Sequence, residues 1–127
     1  MKDDRSPIRL LVVNERPEMA ESIARYVSQF QHVTVVGTAH GLEDSLACAR
    51  ELQPGAILSD YSRLKQETLE RIRRLRAELP GACIIAMSYD EEETDVVIEA
   101  GADQFIPKFE LSRHLMPALD QCATVLH

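Results

Sequence analysis

Short apolar runs alternate along the chain with segments in which apolar residues recur every three or four positions. Runs of about five residues are typical of strands buried on both faces of a parallel sheet, and helical segments between them would cover those faces. The pattern therefore predicts five strand–helix units and an α/β fold. The predicted strands are residues 8–13, 33–36, 56–59, 84–87 and 104–107, with Gly37 ending the second.

Each interval after a strand carries one apolar stripe at helical spacing. The stripes are Ile23, Val27 and Phe30; Leu42, Leu46 and Ala49; Leu69, Ile72, Leu75 and Leu79; Val96, Val97 and Ala100; and Leu111, Leu115, Ala118, Cys122 and Val125. Pro17 suits the first turn of helix one, and Gly101 should end helix four. Pro117 lies inside the last stripe, so that helix either starts late or bends.

Charged residues flank two of these helices. Helix four should open with the acidic run 90–93, because carboxylates favour the positive end of the helix dipole. Helix three carries Arg71, Arg73, Arg74 and Arg76, and we expect these four side chains to point largely to solvent. Such a basic row is more often a solvated face than a nucleic-acid site.

Length and composition indicate one domain over residues 1–127, with its core at about 8–126. The net charge of -7 and the pI near 5.0 argue against binding nucleic acid or an anionic membrane. Cys48, Cys83 and Cys122 form no CxxC pair and predict reduced core thiols in a cytosolic protein. The charged start of the chain resembles no export signal, so we expect a cytoplasmic protein.

Polar side chains stand where four of the five predicted strands end. Asn14 and Glu15 follow strand one, Asp60 follows strand three, Ser88 follows strand four and Lys108 closes strand five. The carboxyl ends of parallel strands share one edge of the sheet, where α/β proteins bind ligands. Carboxylates, a hydroxyl and an ammonium together suit a divalent cation and a phosphoryl group. Singly, each of these residues has an ordinary structural explanation, such as a helix cap or a solvated lysine.

The segments LVVNE at 11–15, ILSD at 57–60, AMS at 86–88 and GADQFIPK at 101–108 carry a resemblance to a known family. With them, the chain resembles the receiver domain of two-component response regulators over about residues 8–119. The resemblance implies a flavodoxin-like fold, a doubly wound five-stranded parallel sheet in the order 2-1-3-4-5 with five helices. It also implies a signalling domain and not an enzyme.

By this resemblance, Asp60 accepts a phosphoryl group from a sensor histidine kinase or a phosphotransfer protein. Mg²⁺ would be held by Glu15, Asp60 and the Ser62 backbone carbonyl, with Asn14 a weak ligand through water. Lys108 would add a positive charge. Ser88 and the aromatic Phe105 would be the switch residues, and helix four, strand five and helix five would form the output surface.

Three features depart from the family pattern. Asn14 stands at an acidic position, which should weaken cation binding. The loop after Asp60 lacks the Pro-x-Met-x-Gly turn, and Pro107 precedes Lys108 where the family usually has Pro after the lysine. Arg63 or Lys65 could enter the pocket and replace the cation, although the more common expectation for loop cations is that both are solvated.

The sequence supports three hypotheses. The first is a stand-alone receiver, because no further domain follows residue 119, and it signals by protein contacts and possible homodimerisation. The second is a phosphorylation-independent pseudo-receiver that acts as an interaction or dimerisation module. The third, a small flavodoxin-like enzyme or cofactor carrier, is disfavoured because no glycine-rich phosphate loop follows any strand.

Overall fold

Five short strands form the centre of the computed structural model, which describes residues 7–89 and 93–125. They are β1 (Ile8–Val13), β2 (Val33–Ala39), β3 (Ala56–Asp60), β4 (Cys83–Ser88) and β5 (Gln104–Pro107). All pairings are parallel, and the order is β2-β1-β3-β4-β5. The predicted flavodoxin-like fold class is confirmed, and the reversal of strand order lies between β1 and β3.

Five helices connect and follow the strands. They are α1 (Pro17–Val27), α2 (Leu42–Leu52), α3 (Gln66–Glu78), α4 (Thr94–Ala100) and α5 (Leu111–Val125), with a short 3₁₀ helix (Lys108–Glu110) before α5. The predicted stripes overrun two helices, because Phe30 lies after α1 and Leu79 directly after α3. No described helix is long and apolar enough to cross a membrane.

Successive strand residues face opposite sides, which divides the core into two layers. On one side, Leu10 and Val12 belong to the layer that includes buried residues of α1 and α5. On the other, Leu11 and Val13 belong to the layer that includes buried residues of α2, α3 and α4. The alternation along β1 thus explains why helices cover both faces of the sheet.

Strand β2 is longer than predicted, because it passes through Gly37 and ends at Ala39. The register shifts between Leu10, which pairs with Val35, and Leu11, which pairs with Gly37, and the β1–β2 ladder then continues to Ala39. A Cβ at Gly37 would lie 2.9 Å from Leu52 Cδ1, so a side chain there would require the end of the Leu52 side chain to move. Gly37 therefore leaves room for the Leu52 side chain of α2 and does not end the strand.

Two arginines of α3 contradict the expectation of a solvent-facing basic row. Arg73 and Arg74 are exposed, but Arg71 is fully buried and Arg76 is half-buried. Arg76 donates to the backbone carbonyls of Gly101 and Ala82 and pairs with Asp103 at 2.5 Å. It therefore ties α3 to the ends of α4 and β4.

The cysteine expectation was wrong for two of the three residues. Cys83 on β4 and Cys122 on α5 form a disulfide across one core layer, with their Cα atoms 5.7 Å apart. Their separation of 39 residues forms no motif, so only the packing of α5 against β4 reveals the pair. Cys48 is a free thiol.

The ends of α4 and α5 were partly predicted. Gly101 caps α4 with a φ of 127°, as expected of the residue that ends it. Helix α5 runs from Leu111 with Pro117 inside, so it does not start late. Of the acidic run predicted to open α4, residues 90–92 lie outside the described part of the chain, and Glu93 is the N-cap. Val125 lies in α5, but its side chain is outside the description.

Candidate functional site

The strand register brings the predicted polar groups to the carboxyl edge of the sheet. Asp60, the last residue of β3, pairs with Met87, and Ser88 pairs with Pro107 immediately before Lys108. Glu15 follows β1, whose last residue Val13 pairs with Ser59. Groups as far apart in the sequence as Glu15 and Lys108 therefore share one rim.

A cleft of about 160 Å³ opens at this rim. Its lining includes Asn14, Glu15, Asp60, Ser62, Lys65, Tyr89 and Lys108. Ser88 lines a neighbouring cleft of about 320 Å³ that also reaches Ser62 and Lys108. Phe105 lines neither cleft and instead packs against the core layer shared by α2, α3 and α4. The acidic, hydroxyl and ammonium groups are thus gathered, and Phe105 lies apart from them.

Asp60 is only 7% exposed, and its carboxylate is paired from inside the protein. Arg71 Nη2 donates a hydrogen bond to Asp60 Oδ1 and another, of 3.0 Å, to the Asp60 backbone carbonyl. Oδ2 makes no hydrogen bond to any described residue. Burial raises the pKa of Asp60, and the positive charges of Arg71 and then Lys108 oppose that rise.

Arg71 is the site residue that sequence reasoning missed. Its Nε donates to Ser59 Oγ at 3.2 Å and its Nη1 to the His40 carbonyl at 3.3 Å, so it spans the ends of β2 and β3. One signal was present: Arg71 lies four residues before Leu75 and three after Thr68, which are both buried on α3. Helical spacing therefore placed Arg71 on the core face.

Lys65 pairs with the second carboxylate of the cleft. Its Nζ lies 2.8 Å from Glu15 Oε1, and this hydrogen bond, followed by the Glu15 charge, raises the pKa of Lys65. Lys65 is solvated as expected of a loop lysine, since its side chain is 61% exposed, but its ammonium also reaches the cleft, which is the alternative that the sequence left open. Arg63 stays mostly in solvent, 3.7 Å from Glu93.

Hydrogen bonds fix the path of the loop after Asp60. Tyr61 is buried and its N–H donates to the Met87 carbonyl at 2.8 Å. The Ser62 N–H donates to Thr68 Oγ1, and the Ser62 carbonyl accepts the Lys65 N–H at 3.0 Å. This turn leads directly into α3 and brings Lys65 to the mouth of the cleft.

Lys108 is held beside the cleft and makes no hydrogen bond or ion pair to Asp60. Its Nζ lies 4.7 Å from the centroid of the Tyr89 ring. The Tyr89 ring packs against the Phe109 ring, with 4.9 Å between the ring centroids. Burial lowers the pKa of Lys108, against the opposing effect of Asp60. The ammonium therefore stays available to an anion that enters the cleft.

One oxygen of each carboxylate predicted to bind Mg²⁺ and the Ser62 carbonyl are already engaged by donors of the protein. Asp60 Oδ2 and the buried Glu15 Oε2 accept no hydrogen bond from a described residue. Asp60 Oδ1 accepts from Arg71, Glu15 Oε1 from Lys65, and the Ser62 carbonyl from the Lys65 N–H. Asn14 Oδ1 accepts the N–H of Arg16 at 3.0 Å. The buried Asn14 Nδ2, which has no partner, is a donor and repels a cation. Because each carboxylate already has a cationic partner, Arg71 or Lys65, these residues do not fit a divalent cation in the predicted arrangement.

The comparison with known proteins agrees with this architecture. The family model for the response regulator receiver domain matches residues 10–120, most of the chain. The chain belongs to the response regulator receiver domain family. Receiver domains are signalling domains of two-component systems that interact with histidine kinases and effector domains, and they generally bind Mg²⁺ for phosphorylation.

Curated relatives of this receiver domain are longer proteins. The nitrate/nitrite response regulator NarL of Escherichia coli strain K12 is 29% identical over 122 residues, covering 94% of this chain and 56% of that protein. Response regulator GacA of Pseudomonas protegens is 32% identical over 103 residues, covering 80% of this chain and 48% of that protein. The receiver domain described here spans about half the length of these relatives.

Solved structures share the receiver fold. The signal receiver domain of the response regulator NarL from Mycobacterium tuberculosis superposes with a TM-score of 0.80 at 23% identity, covering 94% of this chain and 98% of that one. A LuxR-family response regulator from Aurantimonas gives a TM-score of 0.79 at 19% identity, covering 94% and 87%. At these identities the likeness supports the fold alone.

Proposed function

We propose that this receiver domain accepts a phosphoryl group on Asp60 from a phosphohistidine of a sensor histidine kinase or a phosphotransfer protein. One observation carries the proposal: Asp60 lines the cleft with Oδ1 held by Arg71, while Oδ2 makes no hydrogen bond to a described residue. A carboxylate fixed at one oxygen presents the other as a nucleophile.

The transfer is a single displacement at phosphorus. Asp60 Oδ2 forms a bond to phosphorus while the P–N bond to the imidazole breaks, and the electron pair of that bond stays on the imidazole nitrogen. Lys108 faces the same cleft, so its ammonium attracts the phosphoryl oxygens. The product is an acyl phosphate, which adds negative charge at the rim of the sheet.

Neighbouring residues would change their contacts in response to the added charge. Ser88 is buried at the end of β4 beside Lys108, where its hydroxyl could donate to a phosphoryl oxygen. Phe105 on β5 is half-buried and would respond as the aromatic switch. We assign the output to the surface of α4, β5 and α5, where a downstream protein or a second copy would bind.

The remaining sequence predictions belong to this proposal. Mg²⁺ at Glu15, Asp60, the Ser62 carbonyl and Asn14 stays a prediction, although the engaged oxygens count against it. Cytoplasmic localisation and the absence of nucleic-acid and membrane binding by this domain also stay predictions. A phosphorylation-independent module is not favoured, since the relatives are response regulators.

A phosphorylation assay tests the proposal. The purified chain is incubated with Mg²⁺ and a small phosphodonor such as phosphoramidate, and intact-protein mass spectrometry should detect one added phosphoryl group. Borohydride reduction of the acyl phosphate followed by peptide mapping should locate it at Asp60. Asp60→Asn should abolish the modification, and Asp95→Asn, an exposed acid on α4, should not. Absence of modification, or its location elsewhere, would reject Asp60 as the acceptor.

A further inference from the structure

The positive charge beside Asp60 comes from the core of the protein. Arg71 is 0% exposed, and its guanidinium is fixed by Asp60 Oδ1 and by the Asp60 carbonyl, Ser59 Oγ and the His40 carbonyl. An arginine remains protonated even when it is buried, and its planar fork suits carboxylates. Asp60 therefore has a permanent counter-charge that does not depend on the solvent.

The Glu15 carboxylate is also paired with a cationic side chain, that of Lys65. Lys65 contacts Glu15 through its side chain and the Ser62 carbonyl through its N–H, at 2.8 Å and 3.0 Å. One residue thus engages two of the groups that were predicted to bind metal. Because α3 begins immediately after Lys65, the same segment that delivers Lys65 also leads to Arg71.

The resulting charges disfavour a divalent ion. Arg71, Lys65 and Lys108 provide three positive charges around only two carboxylates, Asp60 and Glu15. Mg²⁺ requires close octahedral oxygen ligands and is attracted by anionic ones. No three His, Cys, Asp or Glu side chains of the described chain are grouped closely enough to hold a metal. An entering ion would be repelled unless Lys65 left Glu15.

We propose that phosphoryl uptake at Asp60 is independent of divalent cations, because Arg71 and Lys65 supply the positive charge next to Asp60 and Glu15 that a metal ion would otherwise supply. The inference rests on the proposed function of Asp60. Arg71 is a positioning residue that holds Oδ1 and directs Oδ2 toward the cleft. Lys65 lies on an exposed loop, and it can move from Glu15 to the phosphoryl oxygens when they arrive.

Metal binding is measured first, without phosphorylation. Mg²⁺ is titrated into the isotope-labelled full chain, and the NMR amide signals of residues 61–65 are followed, with Mn²⁺ broadening as a second readout. We expect no saturable change at millimolar Mg²⁺. Asn14→Asp combined with Lys65→Gln frees Glu15 and restores an acid, so it should bind Mg²⁺ at least about tenfold more tightly. Arg73→Gln, an exposed α3 control, should behave as the unchanged chain.

Saturation of the unchanged chain at millimolar Mg²⁺ would overturn the inference. A double variant that binds no better than the unchanged chain would overturn the role assigned to Lys65. These outcomes do not depend on whether Asp60 is phosphorylated.

Phosphorylation is then compared in EDTA and in Mg²⁺ with phosphoramidate. Equal rates, within about twofold, support the inference, and we expect the double variant to become faster in Mg²⁺. A requirement for Mg²⁺ in the unchanged chain would overturn the inference and leave Asp60 as the acceptor. No modification in either buffer would overturn the proposed function and, with it, the positioning role of Arg71.

Discussion

Replacing Arg71 by methionine tests the buried pair directly, because the change removes the guanidinium and keeps an unbranched side chain in the core. Asp60 would then be buried without its partner, as would the Ser59 hydroxyl and the His40 carbonyl that Arg71 now satisfies. Removing one partner of a buried ion pair typically costs about 3–5 kcal/mol. We expect a loss of this size in the free energy of unfolding near pH 7.

The pH dependence follows from the proton affinity of Asp60. Burial already raises its pKa, so the folded protein binds this proton more tightly than the unfolded chain does. The carboxyl therefore favours the folded state most below its unfolded pKa, and that advantage is lost as the pH rises through the folded pKa. Arg71→Met removes the strongest opposing effect and raises the folded pKa further. The stability difference between the unchanged chain and the variant should thus widen as the pH increases.

Protonation of Asp60 limits how much free energy of unfolding the Arg71→Met variant loses through its unpaired charge. Protonating a carboxyl at pH 7 costs about 4 kcal/mol when its ordinary pKa is near 4, because each unit between the pH and the pKa costs about 1.36 kcal/mol. A buried Asp60 that loses Arg71 can take up a proton at this cost. Urea denaturation followed by circular dichroism between about pH 4 and pH 7 measures the difference directly. Arg73→Met, exposed on the same helix, should change stability by less than about 0.5 kcal/mol. A difference below about 1 kcal/mol for Arg71→Met, or one that does not vary with pH, would refute the reasoning.

Three further outcomes are expected from other parts of the fold. Gly101→Ala should lose more than about 1 kcal/mol in urea denaturation, because its φ is 127° and its Cβ would lie 2.8 Å from Arg76 Cβ. Gly81→Ala, where a Cβ meets nothing within 4 Å, is the matched control, and equal losses would contradict the steric explanation. Arg76→Met should lower the thermal midpoint, since it removes the link to Asp103 and to backbone carbonyls, and an unchanged midpoint would count against that link. Burial, with acidic neighbours, raises the pKa of the Cys48 thiol, so iodoacetamide should modify it more slowly at neutral pH than it modifies free cysteine in solution. Peptide mass spectrometry measures this rate, and faster labelling would contradict the raised pKa.

The fold followed from the sequence because its signals are local and repeated. Each apolar run had strand length, each interval had one helical stripe, and Gly101 ended α4 as its conformation requires. Gly37 was wrongly predicted to end β2, because a glycine inside a strand can make room for a neighbouring side chain as well as form a turn. Cys83 and Cys122 could not be paired, because contact between β4 and α5 depends on how the whole chain packs.

The site was predicted less completely for a different reason. Asp60, Glu15 and Lys108 could be placed together because the end of each strand fixes their position along one edge. Arg71 was assigned to solvent from its charge, although its spacing from Leu75 placed it on the buried face of α3. The charge of Arg71 predicted exposure and its helical position predicted burial. Arg71 is buried because the Asp60 carboxylate at the end of β3 pairs with it.

The contacts of Arg71 with the His40 carbonyl and Asp60 make α3 and the carboxyl ends of β2 and β3 one cooperative unit. When α3 detaches in a local opening, the guanidinium leaves and the rim of the sheet loses its internal support at the same moment. Amide protons of α3 and of the last residues of β3 should therefore exchange with solvent at a common rate in native-state hydrogen exchange. In this receiver domain the position of the Asp60 carboxylate depends on a residue in the interior of a helix and not on the loops alone.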